Sequence, residues 1–386
     1  MHLADIAQLN PKLNKSTIQE KSLASFVPMA CVSEVSGSII SEEEREIEAI
    51  SKGFTYFQNG DILVAKITPC FENGKIALAH VKHEHAFGST EFHVIRPDAT
   101  KVDGRYLFHF LRQPRIRIEG EKRMTGSGGQ RRVPKSFLEE LEISLPSLPE
   151  QRRIAAILDK AEALRSKRRK AIAKLDQLLQ SVFLEMFGDP VTNSKNWPLK
   201  SFLEVGQWKS GATPSKSNSD YWIGSYPWVS PKDMKVDHID DSQDHLNEEV
   251  FAKTSLKKID PNHILIVVRG MILAHSFPVA INNVSIAINQ DMKAIEPNSD
   301  FSSKYLISCI KSLKQRFLSV VSSAGHGTKR LDLRDAAEIS IPMPDISLQK
   351  KFDDIYDKVK IQKKNLIQQE TKLQEFISSI QYKYFQ

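Results

Sequence analysis

The stretch "LEISLPSLPEQRRIAAIL", Leu141 to Leu158, changes period partway along. Leu141, Ile143 and Leu145 alternate with Glu142 and Ser144, the pattern of a strand with one buried face. Two prolines follow, and apolar residues then recur at helical spacing. The same succession returns as "AEISIPMPDISLQKKFDDI", Ala337 to Ile355. With Ile143 set against Ile339, Glu142, Ser144, Leu145 and Pro146 match Glu338, Ser340, Ile341 and Pro342. Beyond a short insertion, Gln151, Arg152, Arg153, Ile154 and Ile157 match Gln349, Lys350, Lys351, Phe352 and Ile355.

The match continues upstream, so it is a repeat of whole units and not of one corner. "GGQRRV" (128–133) lines up with "HGTKRL" (326–331), and "YLFHFL" (106–111) with "YLISCI" (305–310). "FHVIRPD" (92–98) faces "MKAIEPN" (292–298), and "DILVAK" (61–66) faces "HILIVV" (263–268), the last pair reading as buried strands. Two copies of a mixed α/β unit of roughly 150 residues, each followed by a helix, make a pseudo-twofold chain.

The helices are long. The capping-box pattern Ser147-Leu-Pro-Glu150 starts the first, with Pro149 in its opening turn. Apolar or small residues recur at Ile154, Ile157, Ala161, Leu164, Ala171, Leu175, Leu178, Val182 and Met186 before "FGDP" ends it, with a break at Arg168. The second carries Phe352, Ile355, Val359, Leu366, Leu373, Phe376, Ile380 and Tyr384, with a break at Gln362. At 1.5 Å per residue each is a rod of roughly 57 Å, and a stripe of this kind seeks a partner helix, here the other copy lying antiparallel. The expected fold is therefore α+β: two globular mixed α/β domains separated by two long antiparallel coiled-coil helices. The expected boundaries are 1–146 and 191–345 for the domains, and 147–190 and 346–386 for the helices.

The 386 residues carry a net charge of +7 and a pI near 9.0, a mild bias toward a polyanionic partner. The positive charge is clustered in "RQPRIRIEGEKRMTGSGGQRR", "RSKRRK" and "GTKRLDLR". No apolar run approaches the roughly 18 residues needed to cross a bilayer, and "MHLADIAQLNPKLNKS" lacks the pattern of a signal peptide. Cys31, Cys70 and Cys309 form no CxxC pair, which is expected of a protein of the reducing cytoplasm.

The glycine loops "TGSGGQRR" (125–132) and "SAGHGTKR" (323–330) are the sharpest chemical feature. Glycine allows close backbone approach, exposed amides with Arg and Lys suit phosphate oxygens, and Gln and Arg suit base edges. A solvated connector explains one such loop; recurrence at equivalent places favours nucleic acid. The candidate contacts are Lys66, Arg123, Ser127, Gly128, Gly129, Gln130, Arg131 and Arg132 in the first unit. In the second they are Thr213, Ser215, Lys216, Ser230, Lys232, Arg269, Gln290, Gly325, His326, Gly327, Thr328, Lys329 and Arg330. Replacing Arg131 and Arg132 with Ala is expected to weaken nucleic-acid binding and flatten its salt dependence. Of the aromatics in "WKSGATPSKSNSDYWIGSYPWVSPKDMK" (208–235), Trp228 reads as core.

Other patterns lead nowhere. "GHGTKR" is not a phosphate-binding P-loop, because Thr precedes Lys and a strand follows. His83 and His85 would share a strand face, but spacing supplies no third metal ligand and a surface turn explains them. "SEEEREIE" (41–48) reads as a solvated acidic loop or helix start. "PD" at 344–345 and "ETK" at 370–372 mimic a nuclease pattern but would lie about 37 Å apart along one rod. No catalytic constellation and no metal site emerges.

The chain resembles the DNA specificity subunit of Type I restriction–modification systems. The resemblance is carried by "ISLPSLPEQRRIAAILDKAEAL", "LLQSVFLEMFGDP" and "WPLKSFLEVGQWKSGATPSKSNSDYWIGSYPWVSPKDM". "SFVPMACVSEVSG" and "NGDILVAKITPCFENGKIA" resemble a common first target-recognition domain. It implies two domains, each reading half of a split site on double-stranded DNA, with the helices setting the spacing. It also implies that the helices hold two methyltransferase (modification) subunits, that restriction/translocase subunits complete the complex, and that no membrane is involved. The helix positions so assigned are Ile154, Ile157, Leu164, Leu175, Val182, Phe352, Ile355, Leu366, Leu373 and Ile380. No cofactor is expected in this chain; S-adenosylmethionine, Mg and ATP belong to the partner subunits. A self-contained restriction enzyme or methyltransferase would need motifs the sequence lacks, and a coiled-coil scaffold leaves the paired basic loops unexplained.

Overall fold

The computed structural model describes residues 1–14, 22–323 and 327–385. It divides into two compact units, Met1–Ala171 with Leu366–Gln386, and Ile172–Asn365. The division falls within the two long helices, Leu148–Phe187 and Ile346–Phe385, so each unit owns part of both. Each helix has 40 residues, about 60 Å of rise.

In the first unit the main sheet runs in the order Ala7–Leu9, Phe92–Pro97, Ile62–Ala65, Ile76–Leu78, antiparallel throughout. Ile62, Leu63, Val64 and Ala65 are all buried, which explains the continuous apolar run where a half-exposed strand would alternate. A second sheet orders Glu43–Glu46, Leu23–Val27, His85–Gly88 and Thr55–Gln58, with a parallel pairing of Ser25–Val27 against Ala86–Gly88. The acidic stretch at 41–48 thus supplies an edge strand followed by a short helix, Ile47–Ile50, in place of the expected loop or helix start. A charged edge blocks pairing with further strands.

The second unit repeats this plan. Its main sheet orders Gly206–Ser210, Met292–Pro297, Ile264–Val267 and Val279–Asn282, then adds a fifth, parallel strand, His238–Ile239. The smaller sheet orders Asp244–Leu246, Tyr226–Val229 and Ala287–Ile288, again with one parallel pair. Trp228 is buried there and donates from Nε1 to the Ala212 carbonyl at 3.0 Å.

The repeated corner is where each unit grips its helices. Gln151 is buried, donates to the Pro146 and Lys101 carbonyls (2.9 and 3.2 Å) and accepts from Asp103 N at 2.8 Å. Gln349 does the same with the Pro344 and Asp300 carbonyls (2.9 and 2.8 Å) and Ser302 N (2.9 Å). Tyr106 OH donates to Ser144 O at 2.8 Å and Tyr305 OH to Pro342 O at 2.7 Å. Phe385 packs edge-on to Tyr106, centroids 5.0 Å apart, and Phe187 edge-on to Tyr305 at 4.8 Å. The C-terminal end of one helix therefore does for the first unit what the end of the other does for the second.

Within each unit the helix segments run antiparallel. In the first, Arg153 bonds Tyr384, Arg165 bonds Gln374 at 3.0 Å, and Arg169 bonds Glu370 at 2.7 Å. In the second, Lys363 pairs with Asp176, and Phe352 packs on Phe183 and Phe187. The expected heptad stripe is corrected here. Leu164, Leu178 and Phe376 are exposed, while Ile154, Ala155, Leu158, Ala161 and Ile377 are buried. Long polar side chains occupy the seam beyond them, covering it with aliphatic stems and meeting partners with their tips.

One cap differs from the sequence reading, and one acid of the nuclease-like pattern proves to be a cap. Glu150 meets the Arg153 guanidinium at 2.7 Å and is not seen reaching back to cap the first helix. Asp345 accepts from Ser347 N at 2.8 Å at the start of the second helix, which accounts for the "PD" of the nuclease-like pattern; the Glu370 of "ETK" pairs with Arg169.

Candidate nucleic-acid interface

The loop 125–132 is an exposed hairpin closed by a bridge between Thr125 and Arg132. Gly126, Gly128 and Gly129 all have positive φ, and a Cβ at Gly128 or Gly129 would meet open space. Glycine is needed there for backbone conformation and not for lack of room. Arg132 also bridges Ile67, just past the strand Ile62–Ala65, and Val133 N donates to Lys66 O at 2.9 Å. Beneath the loop exit, buried His93 donates from Nε2 to Val133 O at 2.9 Å; burial holds its ring below the ordinary histidine range.

The second loop occupies the same structural address. Val321–Ser323 pairs antiparallel with Lys329–Leu331, and Arg330 bridges Arg269, just past the strand Ile264–Val267. Leu331 N donates to Val268 O at 2.9 Å, the counterpart of Val133 to Lys66. Gly327 has φ +76°. Gly325 and His326 lie outside the described residues.

The charges are not arranged alike. Arg132 grips Glu91 with Nε to Oε2 at 3.0 Å and a terminal nitrogen to Oε1 at 2.8 Å, and also donates to Gln130 O at 3.0 Å. That guanidinium holds the Glu91 carboxyl below the usual range. Arg131 lies 3.5 Å from Glu72. Both arginines, candidates for phosphate and base-edge contact, are therefore already partnered. In the second unit Arg269 takes the acid, Asp291, at 3.7 Å. Lys329 donates to Ser323 Oγ at 2.8 Å, and Arg330 is exposed with no carboxylate within ion-pair distance among the described residues.

Lys66 is half-buried at the strand end, while Arg123, Ser127 and Gln130 are exposed. Thr213 and Gln290 come together through a hydrogen bond between their side chains. Ser215, Lys216 and Lys232 are exposed, and Thr328 is half-buried. Ser230 is a correction: it is buried, and both its amide and hydroxyl bond Asp233 Oδ2, at 2.8 and 3.0 Å. Its role is to close a turn. Sequence reasoning missed Glu72, Glu91 and Asp291, because acids distant in sequence carry no spacing signal toward the loops.

On the helices, Ile154 and Phe352 are fully buried in the cores of their own units, so they are closed to any other molecule. Val182, Leu373 and Ile380 pack against those cores, and Ile157, Leu175, Ile355 and Leu366 are half-buried. Leu164 alone of the assigned positions is exposed. His83 lies 3.3 Å from Glu44 and His85 bonds Tyr56 OH at 3.0 Å, so the two rings serve different neighbours. Among the described residues no helix is long and apolar enough to cross a membrane.

Comparison with known proteins agrees with this repeat. The profile of the Type I restriction modification DNA specificity domain matches residues 1–175 and again 194–375. The EcoR124I/EcoR124II specificity subunit of Escherichia coli is 32% identical over 267 residues, 68% of this chain and 64% of that protein. The EcoAI specificity subunit of Escherichia coli is 41% identical over 153 residues, 39% of this chain and 26% of that one. The matched segments thus span less than two thirds of these relatives' own lengths. A solved S subunit of a Type I restriction–modification system from M. genitalium shares the fold, with TM-score 0.60, 17% identity and coverage of all this chain and 95% of that one.

Proposed function

Because the chain belongs to the Type I restriction modification DNA specificity family, we propose that it is a DNA-recognition subunit whose two units each read half of a split site. The observation that carries this reading is one basic hairpin at one structural address in both units, bridged to Ile67 in the first and to Arg269 in the second. Sequence is read by side chains at base edges, while exposed Arg123, Lys216, Lys232 and Arg330 set register on phosphates. The halves differ in sequence because the residues around the two loops differ.

The target-recognition domains correspond to 1–146 and 191–345, and the helices set the spacing between half-sites. The partners are two methyltransferase subunits and restriction/translocase subunits, which hold S-adenosylmethionine, Mg and ATP and perform the chemistry, in the cytoplasm. Mapping methylated bases in cells that express the chain with its modification subunits tests this. The expected product is a motif of two defined parts separated by unspecified bases. A single uninterrupted motif, or methylation independent of this chain, overturns the reading.

A further inference from the structure

In each unit one carboxylate stands immediately before the central strand and beside the basic loop. Glu91 precedes Phe92–Pro97, and Asp291 precedes Met292–Pro297. The backbone setting is shared: Lys66 N donates to Glu91 O at 2.9 Å, and Val268 N and Arg269 N donate to Asp291 O at 2.8 and 3.2 Å. Each carboxylate faces an arginine, Glu91 through a hydrogen-bonded fork to Arg132 and Asp291 through an ion pair of 3.7 Å to Arg269, and the two arginines come from different elements. Arg132 comes from the hairpin, and Arg269 from the end of the neighbouring strand. The carboxylates are mostly covered, at 25% and 27% exposed, while the arginine side chains remain 41% and 52% exposed. The same acid position recruiting an arginine by two routes is what a shared requirement for a fixed guanidinium produces.

An arginine paired with a carboxylate is a poor phosphate anchor, since the pair carries no net charge and the acid repels the DNA backbone. It is a good base reader. Glu91 fixes one edge of the Arg132 fork and Gln130 O takes one further N–H, while Asp291 restrains Arg269 by charge at 3.7 Å. The N–H groups left uncommitted then keep a set direction, as bidentate contact with guanine O6 and N7 requires. We propose that Glu91 and Asp291 are specificity-determining positioning residues, each aiming its arginine at a base edge in one half-site. This rests on the DNA-recognition reading above. Phosphate affinity then comes from unpaired cations, Arg330 foremost.

The test uses the full chain assembled with its modification subunits, comparing Glu91→Gln, Glu91→Asp and Asp291→Asn with the parent. Methylation rates are read on the cognate site and on every single-base variant, with thermal midpoints measured alongside. Glu91→Gln lowers discrimination roughly tenfold at one base position of one half-site and leaves the other half intact. Asp291→Asn does the reverse. Glu91→Asp, which keeps the charge, stays within about threefold of the parent. A uniform drop in rate on all sequences, or unchanged base preference in both neutral variants, overturns the positioning role. If the parent complex shows no two-part preference, the recognition reading itself falls and takes this inference with it.

Discussion

The two junctions and the two loops of this molecule behave in opposite ways. At the junctions the units match atom for atom: Gln151 and Gln349 bond equivalent carbonyls and amides, and Phe385 and Phe187 pack on equivalent tyrosines. At the loops the backbone address is shared but the side chains part company, with Arg132 clamped by Glu91 and Arg330 free of any such partner among the described residues. Under the proposed function, matching geometry with divergent chemistry separates what is kept to hold two units in one chain from what differs to read two sequences.

The junction equivalence is the easiest to break. Phe187→Ala and Phe385→Ala, each emptying a fully packed site, should each cost about 3–5 kcal/mol in denaturant unfolding of the whole chain. Unequal losses would show that the two helix ends do different work. Gln151→Leu and Gln349→Leu strand buried carbonyls and an amide in each unit, for about 2 kcal/mol apiece by the same measurement.

Smaller effects sharpen the difference between units. The fifth strand, His238–Ile239, has no counterpart in the first unit's main sheet among the described residues. Burial, with Lys360 nearby, pushes His238 down to about 4 from its ordinary 6.5. The unfolded chain therefore takes up that proton first as pH falls. Stability from this residue is complete above about pH 6.5 and is lost between there and about pH 4. Replacing His238 with Gln should flatten the pH–stability profile across that window by about 1 kcal/mol, the histidine being partly screened by solvent. At the loops, Arg330→Ala should lower the slope of log affinity against log salt by about one. Arg132→Ala should lower it clearly less, because its charge is already offset by Glu91; equal slopes would erase the distinction between clamped and free arginines.

Much of this could be read from the sequence. The repeat, the buried strands, the long helices and the loops all follow from local pattern, because each is a run of consecutive residues. Gln151 and Gln349 surfaced as aligned identities. The helix register did not, since Arg165, Arg169 and Lys363 act as seam residues through polar contacts that a count of apolar positions passes over. Ser230 was misread although "SPKD" is itself a turn signal, with Asp233 three residues on. The carboxylates beside the loops were out of reach, because Glu91 meets Arg132 only after the strands have paired.

The most direct test of the central claim is an exchange of one unit. Residues 206–331 are replaced by the corresponding segment of another member of the family, and the methylated motif is mapped again with the same modification subunits. One half-site should change, with the other half and the gap between them preserved. A motif that stays whole, or one that changes in both halves, would contradict the assignment of one reader to each unit.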